Sequence, residues 1–360
     1  RIVANSKEYV SDKGAALCKV VPEGTLLVSF KLTLGRLAFA GRNLLTNEAI
    51  AALTIHNERE LSKEFLYYCL TFFDWVKAAE TDVKLKGMTL NKAKLKLIPI
   101  SFPLLTEQHR IVTLLDEAFA NIATAKANAE KNLQNAQTLF ESHLEAIFAA
   151  DTQPDLRKPL GAVCDLQNGY AFKSGDYIDN SNTLNIRMSS IRPGGTFDPE
   201  HNQRFLPNSY AEDYSNFLLK DGDLIIAMTD MANDPKILGV PTLVNNRNDR
   251  NFLMNQRVGK LFGFSDEIQI PYLRYFLSSP TVKRYYKEKG AGGLQINISK
   301  GDILSAQIPI PSLSNQDRIV KQLDVMAEET QRLKAIYRQK LTSLDDLKKS
   351  LLHQAFSGQL

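Results

Sequence analysis

Apolar residues recur every third or fourth position across 103–150. Ile111, Leu115, Ala118, Ile122, Ala125, Ala129, Leu133, Ala136, Phe140, His143 and Ile147 form one seam, with polar residues between them. This is the period of an amphipathic helix, slipping once near Leu133. No Gly or Pro interrupts it. The pattern predicts one helix from Thr106 to Ala149, about 65 Å long at 1.5 Å per residue. That length exceeds what one small domain covers, which disfavours an ordinary bundle helix. The pattern then returns. An offset of 208 carries Gln108, Arg110, Ile111, Val112, Leu115, Asp116 and Phe148 onto identical residues at Gln316, Arg318, Ile319, Val320, Leu323, Asp324 and Phe356. A second long helix is expected over 315–357, with its seam at Ile319, Leu323, Met326, Leu333, Tyr337, Leu341, Leu344, Leu351 and Ala355.

The repeat reaches back into the segments before each helix. Residues 25–30 and 224–227 are short apolar strand candidates behind turns, and 184–188 is another. Residues 44–53 match 252–261. The helix-like stretch 61–79, with Ser62 as N-cap, matches 271–286, with Tyr67 opposite Tyr275. Leu90, Leu95 and Ile100 match Ile298, Ile303 and Ile308. The expected organisation is a domain over 1–104, a helix over 105–150, a domain over 151–312 and a helix over 313–360. Residues 156–208 have no counterpart ahead of the first matched part, so the first domain is expected to lack its N-terminal portion. The fold class is mixed α+β with a pseudo-two-fold repeat. Each helix is the other's most obvious partner, so to pack they must run antiparallel, holding the two domains apart at a set spacing.

Composition adds limits. A net charge of +4 and a pI near 8.7 permit a nucleic-acid partner without requiring one. Cys18, Cys69 and Cys164 form no CxxC pair, which argues for a reducing compartment. No apolar run approaches the roughly 20 residues of a membrane span. His56, His109, His143, His201 and His353 show no metal-ligand spacing, and His143 reads as a packed seam residue. No P-loop motif occurs. The nearest approach to an amino-methylation motif, Asn233-Asp234-Pro235-Lys236, lacks the second proline and the aromatic. Asp221 and Asp223 read as a turn before a strand rather than a nuclease pair.

At this point the chain resembles the DNA-specificity subunits of type I restriction–modification systems. The likeness rests on the repeat, on the helix entry Pro103, Leu105, Glu107, Gln108, Arg110 and Ile111, and on the loop 169–174. It also rests on the ending 351–358. The second entry departs from the pattern at Asn315. The resemblance implies two α/β target-recognition domains, each reading half of a bipartite double-stranded DNA target. It also implies a paired-helix spacer that docks two methyltransferase subunits, which restriction subunits then join. By the same resemblance the chain has no catalysis and no cofactor of its own. Its partners would use S-adenosylmethionine, ATP and Mg, in a bacterial or archaeal cytoplasm, with no membrane contact. The competing classes are a fused methyltransferase or nuclease and a coiled-coil scaffold.

Base edges are read by Arg, Lys, Asn or Gln, and phosphates are held by Lys, Arg and backbone amides. The DNA-contact candidates are therefore the polar and basic residues of Gly-rich segments. In the first domain they are Lys31, Thr33, Arg36, Lys84 and Lys86. In the second they are Tyr170, Lys173, Ser174, Arg187, Arg192, Lys283, Arg284, Lys287, Gly292, Gly293 and Gln295. The helix entries Gln108, Arg110, Gln316 and Arg318 are the partner-binding candidates.

Overall fold

The computed structural model describes residues 1–6, 8–31, 33–79, 83–84, 87–88, 90–150, 157–246 and 249–359, with the backbone alone at 83–84, 87–88 and 149–150. Two continuous helices, Leu105–Ala150 and Leu313–Phe356, dominate it. The chain divides into two compact units. One is Arg1–Lys131 with Tyr337–Leu360, and the other is Asn132–Ile336. Each unit therefore holds the start of one long helix and the end of the other.

In the first unit a four-stranded sheet runs in the order Ile2–Val3, Leu37–Ala40, Leu26–Ser29, Ile50–Leu53. All four residues of Leu26–Ser29 are buried, as expected of a strand covered on both faces. Helix Lys63–Phe72 packs Phe65 and Tyr68 onto Ile111, Val112 and Leu115 of the first long helix and onto Leu352 and Ala355 of the second. The start of one long helix and the end of the other thus share one core, so they run antiparallel there. Lys126 pairs with Asp345 at 2.7 Å along the same seam.

The second unit repeats these contacts. Leu224–Ala227 lies between Pro241–Leu243 and Val258–Phe262, and Asp165–Asn168 extends the sheet. The register Leu26↔Leu53 and Ser29↔Ile50 reappears as Leu224↔Leu261 and Ala227↔Val258. A second sheet, absent from the described part of the first unit, joins Phe205–Leu206, Thr183–Ile186, Asn251–Met254 and Leu218–Leu219. Leu144 and Phe148 now meet Ile319 and Leu323 in one core. Lys334 bonds Gln137, the same contact as Lys126 with Asp345 after the offset is applied to both residues. His143 is half-buried beside Gln322 at 3.3 Å. The fold is thus mixed α+β with an internal repeat.

Two expectations need correction. The stretch 61–79 is two helices, Lys63–Phe72 and Trp75–Ala79. Phe73 leaves the helical region, and the Asp74 carboxylate then accepts the Lys77 N–H at 3.0 Å. A side chain that caps a new turn competes with continuing the old one. The equivalent of Tyr275 is Tyr68, not Tyr67: Tyr68 bonds Asp116, and Tyr275 donates to Asp324 at 2.6 Å. The offset is 207 in these helices and 208 in the long ones.

Candidate nucleic-acid interface

Helix Pro280–Lys289 shows how sequence places charge in the second unit. Ser279 caps it, accepting the Val282 N–H at 3.4 Å, and Pro280 opens it. Val282 and Tyr286, four apart, enter the core. Lys283, Arg284 and Lys287 fall on the remaining arc and line a cavity with Asn233, Asp234, Pro235 and Lys236. That lining carries four cationic side chains against one carboxylate, Asp234, which pairs with Lys236 at 3.0 Å. Two other cavities differ: one sets Lys19 and Lys63 evenly against Glu23 and Glu58, and another is acidic, with Lys158 against Asp266 and Glu267. With its cations in excess, the concavity of Lys283 and Lys287 attracts anions such as phosphates.

The loop facing that helix is held firmly. Asp230 is 5% exposed, and its carboxylate accepts the N–H groups of Met231 at 2.7 Å, Ile237 at 2.5 Å and Leu238 at 3.1 Å. The loop closes back at Gly239, whose φ is +68° and whose α-hydrogen faces the Tyr286 ring. Lys236 therefore stands at a position set by the core. In Asp230→Asn the amide can keep some of these bonds but turns an N–H₂ toward backbone donors. The variant should lose about 2 kcal/mol of stability. It should also speed amide exchange at Ile237 and Leu238, and unchanged exchange would refute the clamp.

Arg284 differs from its neighbours. It bonds the Glu145 carboxylate at 2.6 Å, and this contact holds that carboxyl below its ordinary value. Arg284 thus ties its helix to the first long helix while lining the cavity. Lys236, which the sequence did not single out, lines it as well.

The remaining candidates lie apart from this cavity lining. Tyr170, 37% exposed, stacks in an aromatic cluster with Phe172, Tyr214 and Phe217, its ring centroid 4.6 Å from that of Tyr214. Lys173 and Ser174 are exposed beside it, and the Lys173 N–H donates to Asp176 at 2.6 Å. Arg187 and Arg192 are half-buried around the hairpin Ile191–Arg192 with Thr196–Phe197. Gly292, Gly293 and Gln295 belong to a loop that leads into strand Gln295–Asn297, which pairs with Thr229–Met231. In the first unit Lys31, Thr33 and Arg36 sit between Leu26–Ser29 and Leu37–Ala40, with the Lys31 ammonium 5.9 Å from the Phe30 ring centroid. Lys84 is in a backbone-only strand pair, and Lys86 lies outside the described residues.

The expected partner contacts at Gln108 and Gln316 are overturned. Both are fully buried. The Gln108 amide donates to the carbonyls of Glu60 at 2.6 Å and Pro103 at 2.8 Å and accepts the Ser62 N–H at 2.9 Å. Gln316 does the same with Glu267, Pro311 and Gln269, at 2.7, 2.9 and 2.9 Å. Each glutamine fastens its domain to its long helix and presents nothing to a partner. Arg110 pairs with Glu107 at 2.6 Å on the surface, and Arg318 is exposed.

Elsewhere, burial pushes the Cys69 and Cys164 thiols up to about 12, far from a reactive thiolate. Among the described residues no group of three or more His, Cys, Asp or Glu could hold a metal ion, and no helix is long and apolar enough to cross a membrane.

A family profile described as the type I restriction modification DNA specificity domain matches residues 2–134 and 157–342. The chain is 25% identical over 202 residues to the type I restriction enzyme MjaVIII specificity subunit of Methanocaldococcus jannaschii, covering 56% of this chain and 45% of that protein. It is 25% identical over 285 residues to the EcoKI specificity subunit of Escherichia coli K12, covering 75% of this chain and 60% of that one. The chain thus spans less than two thirds of either relative. A solved structure described as the basis of complex assembly and conformational transition in a type I R-M system superposes with a TM-score of 0.73 at 19% identity, over 95% of this chain and 84% of that one. The HsdS subunit of Thermoanaerobacter tengcongensis superposes with a TM-score of 0.53 at 19% identity, over 95% and 82%. These likenesses show a shared fold. With the profile covering both halves of the repeat, the chain belongs to the type I restriction–modification DNA-specificity family.

Proposed function

We propose that this chain is the specificity subunit of a type I restriction–modification complex and binds a two-part double-stranded DNA target through its two sheet-bearing domains. The observation that carries this reading is the cationic cavity of Lys236, Lys283 and Lys287 on a repeated domain. Lysines at a concavity position phosphates; they do not choose bases. Base choice would fall to polar groups, Asn233 on the cavity lining and Gln295 at the end of the loop after helix Pro280–Lys289 among them. The long helices would offer their exposed faces to methyltransferase subunits, with restriction subunits joining that core. Catalysis, S-adenosylmethionine, ATP and Mg would belong to those partners, in the cytoplasm of a bacterium or archaeon.

Selection from random duplexes, with the methyltransferase subunits present, should return a consensus in two parts. The Lys283→Ala/Lys287→Ala variant should then bind all duplexes more weakly. Its salt dependence should shallow by about 2 in log–log slope, since each phosphate contact contributes about 0.9. An unchanged slope would remove these lysines from the interface. Methylation by the isolated chain would contradict its assignment as a non-catalytic subunit.

A further inference from the structure

We propose that Leu294, backed by Met231, is an apolar wedge that enters between stacked base pairs of a duplex held at the cationic cavity. Leu294 is 85% exposed and Met231 50% exposed, in a unit whose other large apolar side chains are mostly buried. An exposed leucine gains nothing from folding, and burying it in an apolar surrounding would be favourable by about 1.5–3 kcal/mol. Nor is the tip loose. The Leu294 carbonyl accepts the Ala232 N–H at 3.1 Å, and Met231 is in register with Gln295. Ala291 and Asn297 exchange both backbone bonds at 2.9 Å, closing the loop. Thr229 donates to the Asn297 side chain at 2.7 Å. Behind the tip, Ile296 and Ile298 are in the core. Gly292 makes the turn possible: its φ is +141°, and a Cβ there would stand 1.9 Å from the Gln295 carbonyl oxygen.

The neighbours of the tip decide for DNA over a protein partner. The strand Thr229–Met231 runs directly into the loop that bears Lys236. The chain entering the tip comes from helix Pro280–Lys289, which bears Lys283 and Lys287. Both supports of the wedge are thus continuous with the two walls of the cationic cavity. Gly292 and Gly293 add no side chain beside Leu294, so it projects singly. A broad apolar face suits a protein; a single leucine on a loop that continues from a cationic helix suits a base step, where inserted apolar residues unstack and kink the duplex.

This inference rests on the DNA-binding reading, and the test separates the two. The full chain, assembled with its methyltransferase subunits, is first used to select its consensus from random duplexes. Matched duplexes are then scanned with 2-aminopurine or pyrrolocytosine through the consensus. The unaltered complex should raise fluorescence severalfold at one step. Leu294→Ala should abolish that rise and weaken matched-duplex binding about tenfold, an effect comparable to losing one good base contact. Leu294→Met should keep most of both. Because Leu294 is so exposed, neither variant should disturb the fold. An equal rise with Leu294→Ala overturns the wedge and leaves the DNA reading intact. Loss of assembly with the methyltransferase subunits in Leu294→Ala overturns it in favour of a protein contact. Failure to recover any consensus overturns the DNA reading, and the wedge with it.

Discussion

Gln316→Leu is expected to destabilise the Asn132–Ile336 unit by about 4 kcal/mol. The side chain is fully buried and makes three hydrogen bonds, to the carbonyls of Glu267 and Pro311 and from the Gln269 N–H. Leucine fills nearly the same volume, so little of the cost is a cavity. The cost is three backbone groups left without partners or water. Each unsatisfied buried group costs about 1–3 kcal/mol, and local relaxation recovers part of the sum. Gln316→Glu should be worse at neutral pH than in mild acid. Only the protonated acid retains a donor for one of the two carbonyls. Gln108→Leu should act alike on the other unit, through Glu60, Pro103 and Ser62. Calorimetry on the whole chain, with amide exchange to assign the unit, reads this out. A loss below about 1 kcal/mol would show that water or a rearranged loop replaces the clamp.

Gly239→Ala should cost about 3 kcal/mol and loosen the cationic loop together with it. Two effects combine. The φ of +68° disfavours any residue with a Cβ. That Cβ would also stand 2.2 Å from the Tyr286 ring, which is itself fully buried and has nowhere to go. The ring and the loop must separate, and Lys236 moves away from Lys283 and Lys287. DNA affinity should therefore fall even at temperatures where the unit stays folded. Tyr286→Leu in the same chain should restore part of the stability by removing ring atoms. If the double variant is no more stable than Gly239→Ala alone, the ring contact is not the cause.

Much of the architecture was legible from local signals. The two long helices follow from an uninterrupted apolar period, and the Ser62 cap is where a serine ahead of that period belongs, accepting the Phe65 N–H at 3.3 Å. The break at Phe73 was not legible, because Val76 continues the apolar spacing and only the Asp74 cap decides otherwise. Gln108 and Gln316 were visible as a repeated pair but not as buried residues. Glutamine is usually exposed, and its burial depends on carbonyls contributed by a distant loop. The site was partly legible. Lys283 and Lys287 stood out, whereas Lys236 did not, since its loop meets their helix only in the folded chain, where Gly239 faces the Tyr286 ring. Leu294 carries no local signal, because an isolated leucine ahead of a strand reads as a core residue.

The sequence by itself determined the two long helices and the repeat that makes each segment's partner a copy of another's. Period and identity are properties of the chain and need no third dimension. Tertiary structure decided which repeated residues face inward and which lysines share a cavity. It also decided that an apolar residue stands in water beside them. Those outcomes depend on groups far apart in sequence competing for the same buried bonds and the same space. No local pattern encodes that competition.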